Sequence, residues 1–171
     1  MIPIDSNISP CTLRNALQDL FYVNAHVAGD PTALFNRAIR GQLRQRLRTT
    51  VVPSEEVSPF KGKSGASGIA TISFEAAGKV ICIDATVKGF NPVLVHLHNA
   101  KVGVNGDVVV DFSSMKVAPG RFLGCGKLSE LGVTSALVAQ KILADPSNFY
   151  FNFHLGKPGT SDFNVAIRGQ L

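Results

Sequence analysis

The chain contains a stretch of itself twice. FYVNAHVAGDPTALFNRAIRGQL at 21–43 aligns without a gap on FYFNFHLGKPGTSDFNVAIRGQL at 149–171, with 13 of 23 positions identical and an offset of 128 residues. A repeat at fixed period restricts the architecture more than any composition figure, because each copy must be the same supersecondary unit. A helix signal precedes both copies. In SPCTLRNALQDL, Ser9 is the expected N-cap, Pro10 the first helical residue, and Leu13, Leu17 and Leu20 the apolar face. In TSALVAQKILADP, Thr134 or Ser135 is the expected cap, Leu137, Val138 and Leu143 the apolar face, and Asp145-Pro146 the stop. The period implies that residues 44–171 form one whole unit and residues 1–43 the C-terminal third of a preceding one, comprising a helix and two strands.

Between the helices, LRTTVV, SGIATISFEA, KVICIDATVKGF, PVLVHLHNA, GDVVVDF, GRFLGCGKLS, NFYFNFHLG and NVAIRGQL are short and rich in β-branched and aromatic residues. Ala77-Gly78, Gly89, Asn105-Gly106 and Pro119-Gly120 mark the turns between them. Many short strands in about 128 residues predict an all-β fold, an antiparallel β-sandwich or barrel with short helices. Alternation then sorts the side chains. Phe149, Phe151, Phe153 and Leu155 oppose Tyr150, Asn152 and His154; Val93, Val95 and Leu97 oppose Leu94, His96 and His98; Val165, Ile167, Gly169 and Leu171 oppose Ala166, Arg168 and Gln170. The first copy repeats the pattern with Tyr22, Asn24, His26, Arg40 and Gln42 on the polar side. The polar face of such a sheet is expected to meet water or to form a hydrogen-bonded strip that holds register.

All four histidines, His26, His96, His98 and His154, fall on these polar faces. An H-x-H in a strand places both imidazoles on one side, about 6–7 Å apart. With His154 on an adjacent strand, three nitrogens would converge on zinc or copper and leave one position open. No acidic residue on these strands is an evident fourth ligand, and Asp84, Asp107 and Asp111 read as isolated acids, at most one of them paired. No G-x-S-x-G, H-E-x-x-H or phosphate-binding loop occurs, so no catalytic residue is assigned and a non-enzyme is the preferred reading.

Net charge is +5, much of it in Arg37, Arg40, Arg44, Arg46 and Arg48. This run reads as a solvated strand face, and without stacking aromatics it does not suggest nucleic-acid binding. No apolar run approaches the ~18 residues that a membrane span needs, and the N-terminus lacks the pattern of a signal peptide. Of the three cysteines, Cys82 in VICIDATV reads as a small core residue, and Cys125 between glycines as the reactive or bridging thiol.

EEVSPFKGKSGASGIATISF, HLHNA, GDVVVDF, DPSNFYFNFHLGKPG and AIRGQL, in that order, resemble the CHRD domain, a module named for chordin and often found in tandem. The likeness spans roughly residues 50–171, and residues 10–43 are similar to the domain's last third. It implies an immunoglobulin-like, Greek-key β-sandwich in an extracellular protein. The family's last strand usually reads G-E-I-R-G-Q-L; here Ala166 and Ala38 stand at the glutamate position, which implies the loss of a carboxylate ligand or of a salt bridge to Arg168. Two functions compete. One is a non-enzymatic extracellular binding or structural module, with partners or self-association, including homo-oligomers, through residues 1–43. The other is a zinc or copper protein built on His96, His98 and His154, redox-active in the version suggested by the similarity of H-x-H to the copper-binding strand of copper-zinc superoxide dismutases.

Overall fold

Alternation of buried and outward side chains builds the longest strands. β5 (Ser67–Glu75) turns Ala70, Ile72 and Phe74 inward, and β6 (Val80–Lys88) turns Ile81, Ile83, Ala85 and Val87 inward. The two pair antiparallel over their full length. The computed structural model describes residues 22–26, 38–42, 46–75, 78–133 and 137–171, with side chains from residue 46 onward.

β3 (Arg46–Val51), β9 (Lys116–Ala118) and β10 (Arg121–Lys127) complete the first sheet, in the order β3-β5-β6-β10-β9. The second sheet comprises β4 (Lys61–Gly62), β7 (Leu94–Asn99), β8 (Asp107–Asp111), β11 (Phe149–His154) and β12 (Val165–Gln170), in the order β4-β12-β11-β7-β8. Pairing is antiparallel except for the short parallel contact of β4 with β12. The sheets face each other as in a β-sandwich. Val95, Leu97, Phe151, Phe153 and Ile167 meet the inward side chains of the first sheet in one core, and Phe122 lies edge-on to Phe153 with ring centroids 5.8 Å apart. Each such buried side chain contributes roughly 1.5–3 kcal/mol. Gly169 marks a close approach at one corner. A Cβ there would sit 2.2 Å from the Thr50 carbonyl oxygen, and it is here that β12 bridges to Val52.

Several expectations change. The two- and three-residue strands β4 and β9 are too short for an alternation signal. The helix, α1 (Val138–Ala144), buries Ala139 and Ile142, with Val138 and Leu143 partly buried, whereas Leu137 precedes it and is exposed. Its expected caps Thr134 and Ser135, like Ser9, Pro10 and the leucines that follow them, lie outside the described residues. Asn105-Gly106 is not the tight turn; the left-handed residue of that loop is Gly103. Asp84 pairs with Arg121 and Asp111 faces His96, so two of the three acids have basic neighbours.

Cys82 is not a core residue. It points outward from β6 opposite Cys125 on β10, and the two form a disulfide. The bond closes a chain separation of 43 residues. Chain-entropy reasoning gives it about 4 kcal/mol, so reduction or Cys125→Ser is expected to lower stability by roughly that amount in urea unfolding. A midpoint unmoved by reductant would show that β6–β10 pairing alone suffices.

β1 (Tyr22–His26) and β2 (Ala38–Gln42) form a separate two-stranded sheet. Their register, Tyr22 opposite Gln42 through His26 opposite Ala38, is that of β11 and β12 displaced by the repeat offset. For Tyr22, Asn24, His26, Arg40 and Gln42 only the backbone is described.

Candidate metal centre

β11 is buried at all six positions, and β7 and β12 are buried on both faces over most of their length. The expected solvent-facing polar strip is therefore a second interior. Three segments cover it. Residues 100–106 are held down by Arg168, whose guanidinium donates to Val104 O at 2.9 Å and Lys101 O at 3.0 Å. Residues 53–63 bring Phe60 against His154, and residues 155–164 bring Phe163 against the same ring. Asn105 Nδ2 donates to Ser58 O and ties the first cover to the second. Loops supply this roof because only irregular backbone can turn its carbonyls toward side chains instead of into a ladder.

Under the roof the side chains run as a continuous column. Arg168 lies 3.4 Å above the Tyr150 ring centre, and Tyr150 stacks on His98 at 4.8 Å. His98 meets His96 edge-on at 5.6 Å, His96 meets His154 at 5.4 Å, and His154 stacks on Phe163 at 4.6 Å. Gln170 fastens the Arg168 end, its amide donating to Ala100 O, Ser147 O and Phe149 O.

His96, His98 and His154 each present a ring nitrogen within 4.8 Å of the others. They are 8%, 7% and 1% exposed. His98 Nδ1 is 2.9 Å from Gly106 O and His154 Nδ1 is 2.9 Å from Phe163 O. A carbonyl only accepts, so both Nδ1 atoms carry the proton and both Nε2 atoms present a lone pair. His96 Nε2 lies 3.8 Å from Asp111 Oδ1, which leaves Nδ1 to face inward. His96 Nδ1, His98 Nε2 and His154 Nε2 are the three ring nitrogens buried without a hydrogen-bond partner. Anchoring the remote nitrogen while freeing the near one is how ligating imidazoles are oriented. Burial, the largest influence, holds all three rings below the ordinary histidine range, His98 and His154 at about 4. They are neutral at physiological pH, the form that binds a metal. The residues therefore fit a borderline cation such as zinc or copper, with one position not supplied by histidine.

Residues 47–171 match the CHRD domain. The chain belongs to the CHRD domain family. No curated protein and no solved structure matches it. The CHRD family is a non-catalytic module. Among the described residues no helix is long and apolar enough to cross a membrane.

Tyr150, Asn152, Arg168 and Gln170 lie on the histidines' face of the sheet. Phe60, Phe163 and Glu56 arrive on covering segments, where no strand parity marks them in the sequence. Glu56 lies beside Arg168 and the Asn152 amide, and burial pushes its carboxyl up to about 7, against the partial relief of the Arg168 charge. A carboxyl raised in the folded state above its unfolded value of 4.5 contributes fully below pH 4.5 and loses that contribution as pH rises through 7. Glu56→Gln, neutral throughout, is expected to melt like the parent at pH 5 and to be more stable by roughly 2 kcal/mol at pH 8.5. Parallel melting curves at the two pH values would contradict the buried carboxyl.

Proposed function

We propose that this CHRD chain is a non-enzymatic extracellular module whose second sheet holds a zinc or copper ion through His96, His98 and His154, in a structural or binding role. The observation that carries the reading is the convergence of three buried, partnerless imidazole nitrogens whose opposite edges are each turned to an oxygen. An apolar or fully paired row would serve a purely structural face better, since each unmet buried polar group costs about 1–3 kcal/mol. The Cys82–Cys125 disulfide supports an oxidising, extracytoplasmic setting. The sheet orders, with β10 beside β6 and β11 beside β7, support an immunoglobulin-like Greek-key connectivity. Elemental analysis of the full chain purified without a histidine tag tests the metal reading. One equivalent of zinc or copper is expected, and metal-free folded protein that takes up neither ion would refute it. Copper would favour the redox-active version.

A second reading concerns assembly. Residues 44–171 are read as the whole unit and residues 1–43 as the tail of a preceding one. The β1–β2 hairpin shares the register of β11–β12, yet among the described residues it pairs only with itself. In the complete unit that place is already taken, which favours docking on a second copy of the chain by strand addition. Light scattering should then show a homo-oligomer that becomes monomeric when residues 1–43 are deleted. A full-length monomer with residues 22–42 protected from hydrogen exchange would indicate internal docking instead.

A further inference from the structure

Among the described residues, every buried side-chain nitrogen or oxygen without a hydrogen-bond partner belongs to Glu56, His96, His98, Asn152, His154 or Arg168. Three of these atoms are the ring nitrogens of the histidine cluster. The others are both carboxylate oxygens of Glu56, both amide atoms of Asn152 and Nε of Arg168. Asn152 is 0% exposed. It stands opposite His96 on one side and Arg168 on the other, and two residues before His154 on the same strand face. Directly opposed side chains start about 4.5–5.5 Å apart at Cβ, and same-face neighbours along a strand about 6–7 Å. The amide is therefore within one side-chain length of the imidazole nitrogens. Glu56 approaches it from residues 53–63, with the Arg168 charge alongside.

The Asn152 amide and the Glu56 carboxyl are close enough for their hydrogen bonding to lower that carboxyl's pKa, yet no atom of either makes a well-formed hydrogen bond. A buried amide so weakly met is rare in a native fold and calls for a further partner. A water joining two to four polar groups is the ordinary partner in such a place. The histidines supply three of the four positions that zinc or copper takes, so the fourth ligand and the amide's further partner fall in the same small space. One molecule meets both needs.

We infer that the fourth position of this centre holds a water molecule bound by the Asn152 amide, with Glu56 and Arg168 as its outer polar wall, and that a small anion can take that water's place. Asn152 and Glu56 are thus positioning residues, not ligands. The inference rests on the metal reading. Asn152 Nδ2 and Arg168 Nε are donors, and donors suit an anion as well as a water oxygen.

The test uses the full-length chain loaded with cobalt(II), whose visible bands report coordination, and titrated with azide. Azide is expected to change the bands. Asn152→Leu, similar in volume but unable to hydrogen bond, should weaken cobalt affinity roughly 10–100-fold and azide binding at least as much. Glu56→Gln, which removes a negative charge beside the anion, should leave azide binding as strong or stronger, and Asn152→Asp, which keeps shape and an acceptor, should recover cobalt affinity and guard against misfolding. If cobalt binds but azide leaves the bands unchanged, or Asn152→Leu keeps both affinities, the water is refuted and the metal reading stands. If the unsubstituted chain takes up neither cobalt nor zinc, the metal reading fails and the water with it.

Discussion

On the metal reading, alanine at His98 is expected to strip the centre, lowering bound zinc or copper from the expected one equivalent to below about a tenth. Altering a group that merely orients a ligand usually costs 10–100-fold in affinity, and removing a ligand costs more. Like His154, His98 has backbone anchoring, at Gly106 O, and a stacked neighbour, Tyr150, so its Nε2 is firmly aimed. The substitution also leaves the Gly106 carbonyl without its donor, a structural loss of about 1–3 kcal/mol. His98→Asn separates the two effects, because an amide donates to the carbonyl but has no imidazole lone pair. Both variants should lose metal, and only the alanine should lose much stability. Metal content unchanged in both, measured by elemental analysis after dialysis against a weak chelator, would remove His98 from the centre.

Arg168→Ala is expected to destabilise the domain by about 3–5 kcal/mol. Arg168 is fully buried, the largest side chain so enclosed. Truncation leaves Val104 O unpaired and Lys101 O with only the Val104 N–H, removes the cation from the Tyr150 face, and opens a cavity beneath residues 100–106. A melting-temperature drop of roughly 10 °C follows for a chain of this size. Arg168→Lys should recover less than half, because an ammonium carries the charge but not the planar fork that reaches both carbonyls. The positions of residues 100–106 also depend on this arginine, so hydrogen exchange there should rise first. An unchanged melt would mean that the roof stands on Gln170 and Asn105 alone.

The eight longer strands, side-chain parity and the meeting of His96, His98 and His154 were legible because alternation is a local signal written in consecutive residues. Phe151 and Phe153 inward with Tyr150, Asn152 and His154 outward follows from period two alone. The burial of the outward face was not legible. It depends on residues 53–63, 100–106 and 155–164, which have no period, and on single contacts such as Asn105 to Ser58 that span 47 residues. Cys82 was misplaced for a related reason. VICIDATV looks apolar throughout, but the cysteine has the outward parity of Asp84, and its partner becomes visible only once β10 is laid against β6. Ala166, at a position where the family usually has glutamate, lies opposite His154, and Arg168 binds carbonyls and Tyr150 with the Glu56 carboxyl alongside.

A sheet enclosed on both sides bears on how this sequence has changed with time. Of the six outward positions of β11 and β12, all six are the same residue in the earlier copy: Tyr22, Asn24, His26, Ala38, Arg40 and Gln42. On the hydrocarbon side Phe151 corresponds to Val23, Phe153 to Ala25 and Val165 to Arg37. An oily layer accepts exchanges that keep it filled, since dispersion has no direction. A layer of aimed donors and acceptors accepts almost none, because each replacement orphans its neighbours. The repeat is thus identical at every position that β11 and β12 turn to the polar layer and varies at half of those they turn to the core, so the likeness between the two segments is carried by the polar layer.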